Sequence, residues 1–168
     1  MLKHSLKLAM AGALVMAAGT AGADTKTTTL NVSAKVAANC SVTAPNLAFS
    51  DYDASADVDG STVLKVNCSK GTTFDVLLGD GTHGDISQRL MKEALTANFL
   101  AYNLYLDAGR TAIWGENLGV DTAGNVGAGM SATKAVDVEV FGRIPNTAAN
   151  QDAPAGDYSD AVLVTVSY

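Results

Sequence analysis

Few residues in this chain have the types and spacing that chemistry demands. Besides His4 near the start, the one histidine is His83, in the turn Gly81-Thr82-His83-Gly84 with no serine or cysteine nucleophile in a recognisable motif around it. A catalytic triad or a multi-histidine metal centre therefore has no basis, no enzyme activity is expected, and His83 reads as a solvated turn residue. Asp51, Asp53, Asp57 and Asp59 ahead of Gly60 pose a calcium question, because hard cations favour several carboxylates on a flexible loop. Their spacing lacks the downstream glutamate and the regular offsets of a calcium loop, and a solvated loop with an Asp-Gly turn accounts for them. The run Gly124-Asn125-Val126-Gly127-Ala128-Gly129 has the look of a phosphate cradle without the preceding strand and following helix that would make it one. No cofactor and no metal is expected. Trp114, Tyr102 and Tyr105 could stack on sugar rings, but their placement in strand-like segments favours packing roles. Asn31, Asn39 and Asn67 each begin an Asn-x-Ser triplet, a pattern too short to establish glycosylation.

The two cysteines, Cys40 and Cys68, take their meaning from the start of the chain. Lys3, His4 and Lys7 precede an apolar stretch, Leu8 to Ala18, too short to span a bilayer, and Ala21-Gly22-Ala23 supplies small residues for cleavage. Residues 1–23 thus read as a secretory leader, with the mature chain starting at Asp24. No second apolar stretch of about 18 residues follows, so no integral membrane segment is expected in the mature chain. Export places both cysteines in an oxidising compartment where they can pair. Closing a loop of about 29 residues costs the unfolded chain roughly 3.5 kcal/mol of entropy on the chain-closure treatment. A zinc pair is the rival reading, and it lacks further ligands at suitable spacing.

Removing the leader from 168 residues leaves 145 (168 − 23), the size of one domain with a real core. Nine Lys and Arg then stand against seventeen Asp and Glu, a formal charge of −8 (9 − 17). Such a surface repels phosphate backbones, and nucleic acid is excluded as a partner class.

The elements that must position these residues are strands. Leu30, Val32, Ala34 and Val36 alternate with polar residues ahead of Cys40, and Tyr158, Val162, Val164, Val166 and Tyr168 fall on one face of a closing segment. Thr62 to Asn67 and Phe74 to Leu78, joined across Lys70-Gly71, predict a hairpin. Phe99 to Leu106, Ala112 to Trp114 and Ala135 to Ile144 predict further strands. Gln88 to Ala97 is rich in helix formers and its conformation stays open, while Gly115 to Ala132 predicts a long loop or weakly paired strands. No repeat or linker divides the chain. Many short strands between Gly, Asp and Asn clusters predict an all-β sandwich.

Several stretches, in order, resemble the spore coat protein U domain family. They are Ala38-Asn39-Cys40-Ser41-Val42, Leu47-Ala48-Phe49-Ser50-Asp51-Tyr52, Val66-Asn67-Cys68-Ser69-Lys70-Gly71, Leu100 to Tyr105, Arg110 to Gly115, and the ending Ala155 to Tyr168. That family includes the Csu-type pilins of the archaic chaperone-usher pathway. The resemblance implies an incomplete immunoglobulin-like sandwich over residues 38–168, completed by a donated N-terminal strand over residues 24–37. It implies a Cys40–Cys68 disulfide and a donor face of Thr28, Leu30, Val32, Ala34 and Val36. Tyr158, Val162, Val164, Val166 and Tyr168 would form the strand at the groove edge. The implied function is that of a structural pilus subunit polymerised by donor-strand exchange and supporting attachment and biofilm formation. Its implied partners are other pilin subunits, a periplasmic chaperone and an outer-membrane usher, and its place is the cell surface. The alternatives are a self-contained coat or matrix protein and a carbohydrate-binding lectin.

Overall fold

The computed structural model describes residues 22–168; the leader read over residues 1–23 lies outside them except for its last two positions. The chain divides into two units, one ending at Lys35 and one spanning Val36–Tyr168. In the first, residues 22–35 form no secondary structure and are exposed, with Leu30 at 84% and Val32 at 85%. The alternation there predicts a strand, yet a strand exists only where a neighbour takes up its N–H and C=O groups. Residues 22–35 enter no ladder in this chain.

The second unit is all-β. Its strands are β1 (Cys40–Thr43), β2 (Val58–Cys68), β3 (Thr73–Leu78), β4 (Arg89–Glu93), β5 (Phe99–Tyr105), β6 (Ala123–Val126), β7 (Val136–Ile144), β8 (Tyr158–Ser159) and β9 (Val164–Ser167). One short helix, α1 (Ala148–Gln151), is capped by the Thr147 side chain. Six strands form one sheet in the order β1-β2-β7-β5-β4-β8, and three form the other in the order β6-β3-β9. Every strand pair is antiparallel. Period-two alternation turns Leu64, Val66 and Cys68 of β2, Phe74, Val76 and Leu78 of β3, and Val138 and Val140 of β7 into one core together with Trp114. This is the sandwich the strand pattern predicts.

Three local expectations need correction, and the stretch left open takes a definite form. β2 and β3 are not a hairpin: they lie in different sheets. Both edges of β2 are already taken by β1 and β7, so the turn at Gly71 (φ +82°) must carry the chain across the core. There Gly71 N–H donates to Gly127 O and Gly127 N–H to Thr72 O, while a Cβ on Gly127 would stand 2.6 Å from the Cys68 Cβ. Within Gln88 to Ala97, helix-forming residues are held as β4 by β5 and β8, with Arg89, Met91 and Glu93 buried on alternate positions; tertiary pairing overrides propensity. Ala112 to Trp114 contributes a single bridge, Tyr105 to Ile113, rather than a strand. The closing segment is two strands: Tyr158 and Ser159 pair with β4, residues 160–163 cross between the sheets, and β9 pairs with β3.

Candidate functional site: an unfilled groove beside the last strand

β9 is hydrogen-bonded to β3 on one side, and its other edge has no ladder partner among the described residues. Val164 and Val166 lie opposite Leu78 and Val76. The β3 side chains are 2% and 0% exposed, whereas Val162, Val164 and Val166 are only half-buried although they point inward. What they lack is a neighbour. Between Val162 and Val164 on one side and residues 44–49 on the other runs an open groove of about 360 Å³, floored by Leu64, Leu78, Met91, Leu104 and Val140. One wall, β9, has a sheet partner on its outer flank only, and the other, residues 44–49, belongs to no strand.

The wall at residues 44–49 is positioned by a hollow in the large sheet. Gly60 and Gly142 face each other in the β2–β7 ladder. A Cβ on Gly142 would come 2.8 Å from Phe49 Cζ, and one on Gly60 would come 3.1 Å from both Leu47 and Phe49. The glycine pair is therefore a seat for two apolar side chains, and Phe49 also meets Tyr102 edge-on at 6.3 Å between ring centroids. Sequence patterning gives no sign of this seat, since Gly60 reads as part of an Asp-Gly turn and Gly142 alone falls inside a predicted strand.

The groove has a polar end. Tyr102 donates its hydroxyl to Asp160 Oδ2 at 2.7 Å, and Thr82 N–H donates to Asp160 Oδ1 at 2.8 Å. Burial, reinforced by the bond to Asp160, holds the Tyr102 phenol far above its ordinary pKa. A Cβ on Gly81 (φ +87°) would overlap the Asp160 carboxylate. Behind this end Arg89 is fully buried and braces the two sheets. Its guanidinium donates to Gly79 O (2.9 Å), Leu78 O (2.9 Å), Trp114 O (2.8 Å) and Asn103 Oδ1 (2.6 Å). Burial works against its charge, and Tyr102, Asp80, Asp160 and Glu116 oppose that shift. Sequence reading missed Arg89; its only signal is a shared face with Met91 and Glu93.

The remaining candidates have structural employment. Cys40 and Cys68 are bonded, and they face each other across the β1–β2 ladder. The expected Asp-Gly turn is absent, because Asp59 and Gly60 lie in β2 opposite Arg143 and Gly142 of β7. Asp59 Oδ1 lies 2.7 Å from Arg143 Nε and 3.0 Å from Arg110 Nε, while Asp57 Oδ1 accepts the Asn146 N–H at 2.7 Å. The Arg143 hydrogen bond holds the Asp59 carboxyl below its ordinary pKa. Arginines stand where a calcium ion would need room. His83 is half-buried with its ring 5.3 Å from that of Phe99, so it is not the freely solvated turn residue expected. Trp114 is 0% and Tyr102 5% exposed, and the indole N–H donates to Val76 O at 2.9 Å, which makes both core residues. The run Gly124 to Gly129 contributes its first residues to edge strand β6. Tyr158 packs against the core from β8, away from the strand that carries Val164 and Val166.

The domain is a two-sheet antiparallel sandwich of immunoglobulin-like architecture with a groove along its final strand. Residues 26–165 match the Spore Coat Protein U domain, and the chain belongs to that family. Protein U of Myxococcus xanthus is 29% identical over 184 aligned positions, covering 99% of this chain and 98% of that protein. Among solved structures, the chain resembles part of the CsuC-CsuE chaperone–tip adhesion subunit pre-assembly complex from archaic chaperone-usher Csu pili of Acinetobacter baumannii. The TM-score is 0.56 at 23% identity over 79% of this chain. This chain spans 40% of the length of that solved chain.

Proposed function

We propose that the protein is a structural subunit of a surface pilus, exported through a chaperone-usher route and polymerised by donor-strand exchange. The observation that carries this reading is the half-buried, inward-pointing row Val162, Val164 and Val166 beside an unpaired sheet edge, in a chain that also holds an unpaired alternating arm. The arm over residues 24–37 supplies Thr28, Leu30, Val32, Ala34 and Val36 to the groove of the next copy. Its main chain gains the ladder that residues 22–35 lack, and alternate side chains enter the floor and fix the register. About four medium apolar side chains at roughly 1 to 2 kcal/mol each give a gross gain of several kcal/mol before ordering costs. Because donor and acceptor are different surfaces, the contact is heterologous and propagates into a fibre.

An unfilled groove and a bare edge are also an aggregation hazard, which is why a periplasmic chaperone must occupy them until an outer-membrane usher brings the next subunit. Such a subunit is not an enzyme, and attachment and biofilm formation are the cellular outcome of the fibre. Leu30→Asp and Val32→Asp are expected to abolish thin fibres in electron microscopy and SDS-resistant ladders on gels. Deleting residues 25–37 should leave a subunit that binds a chaperone but donates no strand. Normal fibres from both aspartate variants would overturn the reading, and a deletion that unfolds the lone monomer would point to a self-inserted coat protein.

A further inference from the structure

We infer that Lys26 and Lys35 steer the arm electrostatically onto the acidic domain of the next copy. The inference rests on the donor-strand reading above and adds what speeds and orients the arm's arrival. Over residues 24–37 the arm has these two lysines and one acid, Asp24 at its first position. Lys26 comes within 3.4 Å of Asp24, but both side chains are about nine-tenths exposed (88% and 90%), and such a pair holds little.

The receiving domain is the electrostatic complement. From Ala38 onward seven Lys and Arg stand against sixteen Asp and Glu, a formal charge of −9 (7 − 16). Several of its cations are already engaged: Lys65 with Asp137, Arg110 with Asp59, and Arg143 with Asp57 and Asp59. Arg89 is buried. Of the side chains lining the groove, the charged one is Asp160. Asp80 and Glu116, both exposed, stand by Gly79, whose N–H donates to Leu163 O and where an added Cβ would lie 3.5 Å from Glu116 Oε1.

All strand pairs in the domain are antiparallel. An arm laid antiparallel to β9 brings its C-terminal part to the end where Asp160 stands. Lys35 alternates with the apolar face of Leu30, Val32 and Val36, so it stays on the outward face of the sheet, the face that carries Leu163 and Glu116. Exposed charges of this kind act on the rate of encounter more than on final affinity, by factors of about 10 to 1,000 at low salt.

The test follows assembly of the mature, disulfide-bonded chain after dilution from denaturant, by light scattering with SDS-resistant ladders as the end point. The double reversal Lys26→Glu with Lys35→Glu is expected to slow assembly about tenfold at about 20 mM salt and to match wild type at about 0.5 M, where the Debye length has shrunk to a few ångströms. Lys35→Glu alone should account for most of the slowing, and Glu116→Lys in the same chain should restore part of it. Equal rates at low salt, or a slowing that persists at high salt, would overturn steering. Leu30→Asp, run alongside, separates the two levels. If it blocks assembly while the charge reversals are silent, steering alone fails; if it too assembles normally, the donor-strand reading fails with it.

Discussion

β3 and β9 are neighbours in one small sheet, face the same core and share a ladder, yet their inward rows end in different states. On β3, Phe74, Val76 and Leu78 are 2%, 0% and 2% exposed. On and just before β9, Val162, Val164 and Val166 are half-buried, and Leu163 points out at 70% exposure. The side chains are equally apolar; what differs is the number of neighbours in the sheet. β3 has strands on both sides, β6 and β9, while β9 has one. An inward face closes over only when something lies across it. The unfinished half of the sandwich therefore follows from topology rather than from composition.

Substitutions that act on one strand and spare the other can break this comparison. Val76→Asp buries an unpaired charge in the closed half and should unfold the single chain, seen as loss of the β-sheet circular dichroism signal. Val164→Asp should leave the single chain folded, because its carboxylate can reach water through the groove, and should abolish assembly instead. If Val164→Asp unfolded the monomer as completely as Val76→Asp, the two halves would not differ as described.

Next in size is the disulfide. Replacing Cys40 and Cys68 together by serine should cost about 3.5 kcal/mol in urea unfolding. It should also impair assembly, since β1 leads directly into the wall at residues 44–49. Gly142→Ala forces Phe49 off its seat and should cost about 1 to 3 kcal/mol, with Gly60→Ala milder because its Cβ contacts are longer. The smallest effect is expected at Asp59, near the start of β2. Asp59 has its folded pKa lowered by Arg143, so its stabilisation is complete above the ordinary carboxylate pKa of about 4 and is lost as pH falls through the folded value. Its partners are partly exposed, so the contribution stays within about 1 kcal/mol. Melting temperatures of wild type and Asp59→Asn should differ at about pH 6, and the gap should shrink as the pH falls below about 4.

Much of this architecture is legible in the chain, because alternation in residues 62–67, 74–78, 99–106 and 136–144 reports which side chains point inward. Alternation does not say which sheet a strand joins. Tyr158 and Val164 share parity but sit in opposite sheets, since the crossing at residues 160–163 preserves the count. For the same reason β2 and β3 mimic a hairpin. β4 was illegible because Leu90, Met91, Lys92 and Glu93 favour a helix in isolation and become a strand only between β5 and β8. The groove's valines and the apolar face of the arm could be picked out by pattern. The glycine seat under Phe49 and the Arg89 brace could not, since both depend on atoms brought together from distant positions.

One consequence follows from where the disulfide sits. Cys40 is the first strand residue after the arm, and its bond to Cys68 ties β1 to a central neighbour of the large sheet. In a chain linked as proposed, tension along the filament reaches each subunit through residues 37–39 and meets a covalent rung before any hydrogen bond of β1 is loaded. β1 is then unable to peel from its end, so a pull is shared across the sheet and the strain falls first on the seam between subunits.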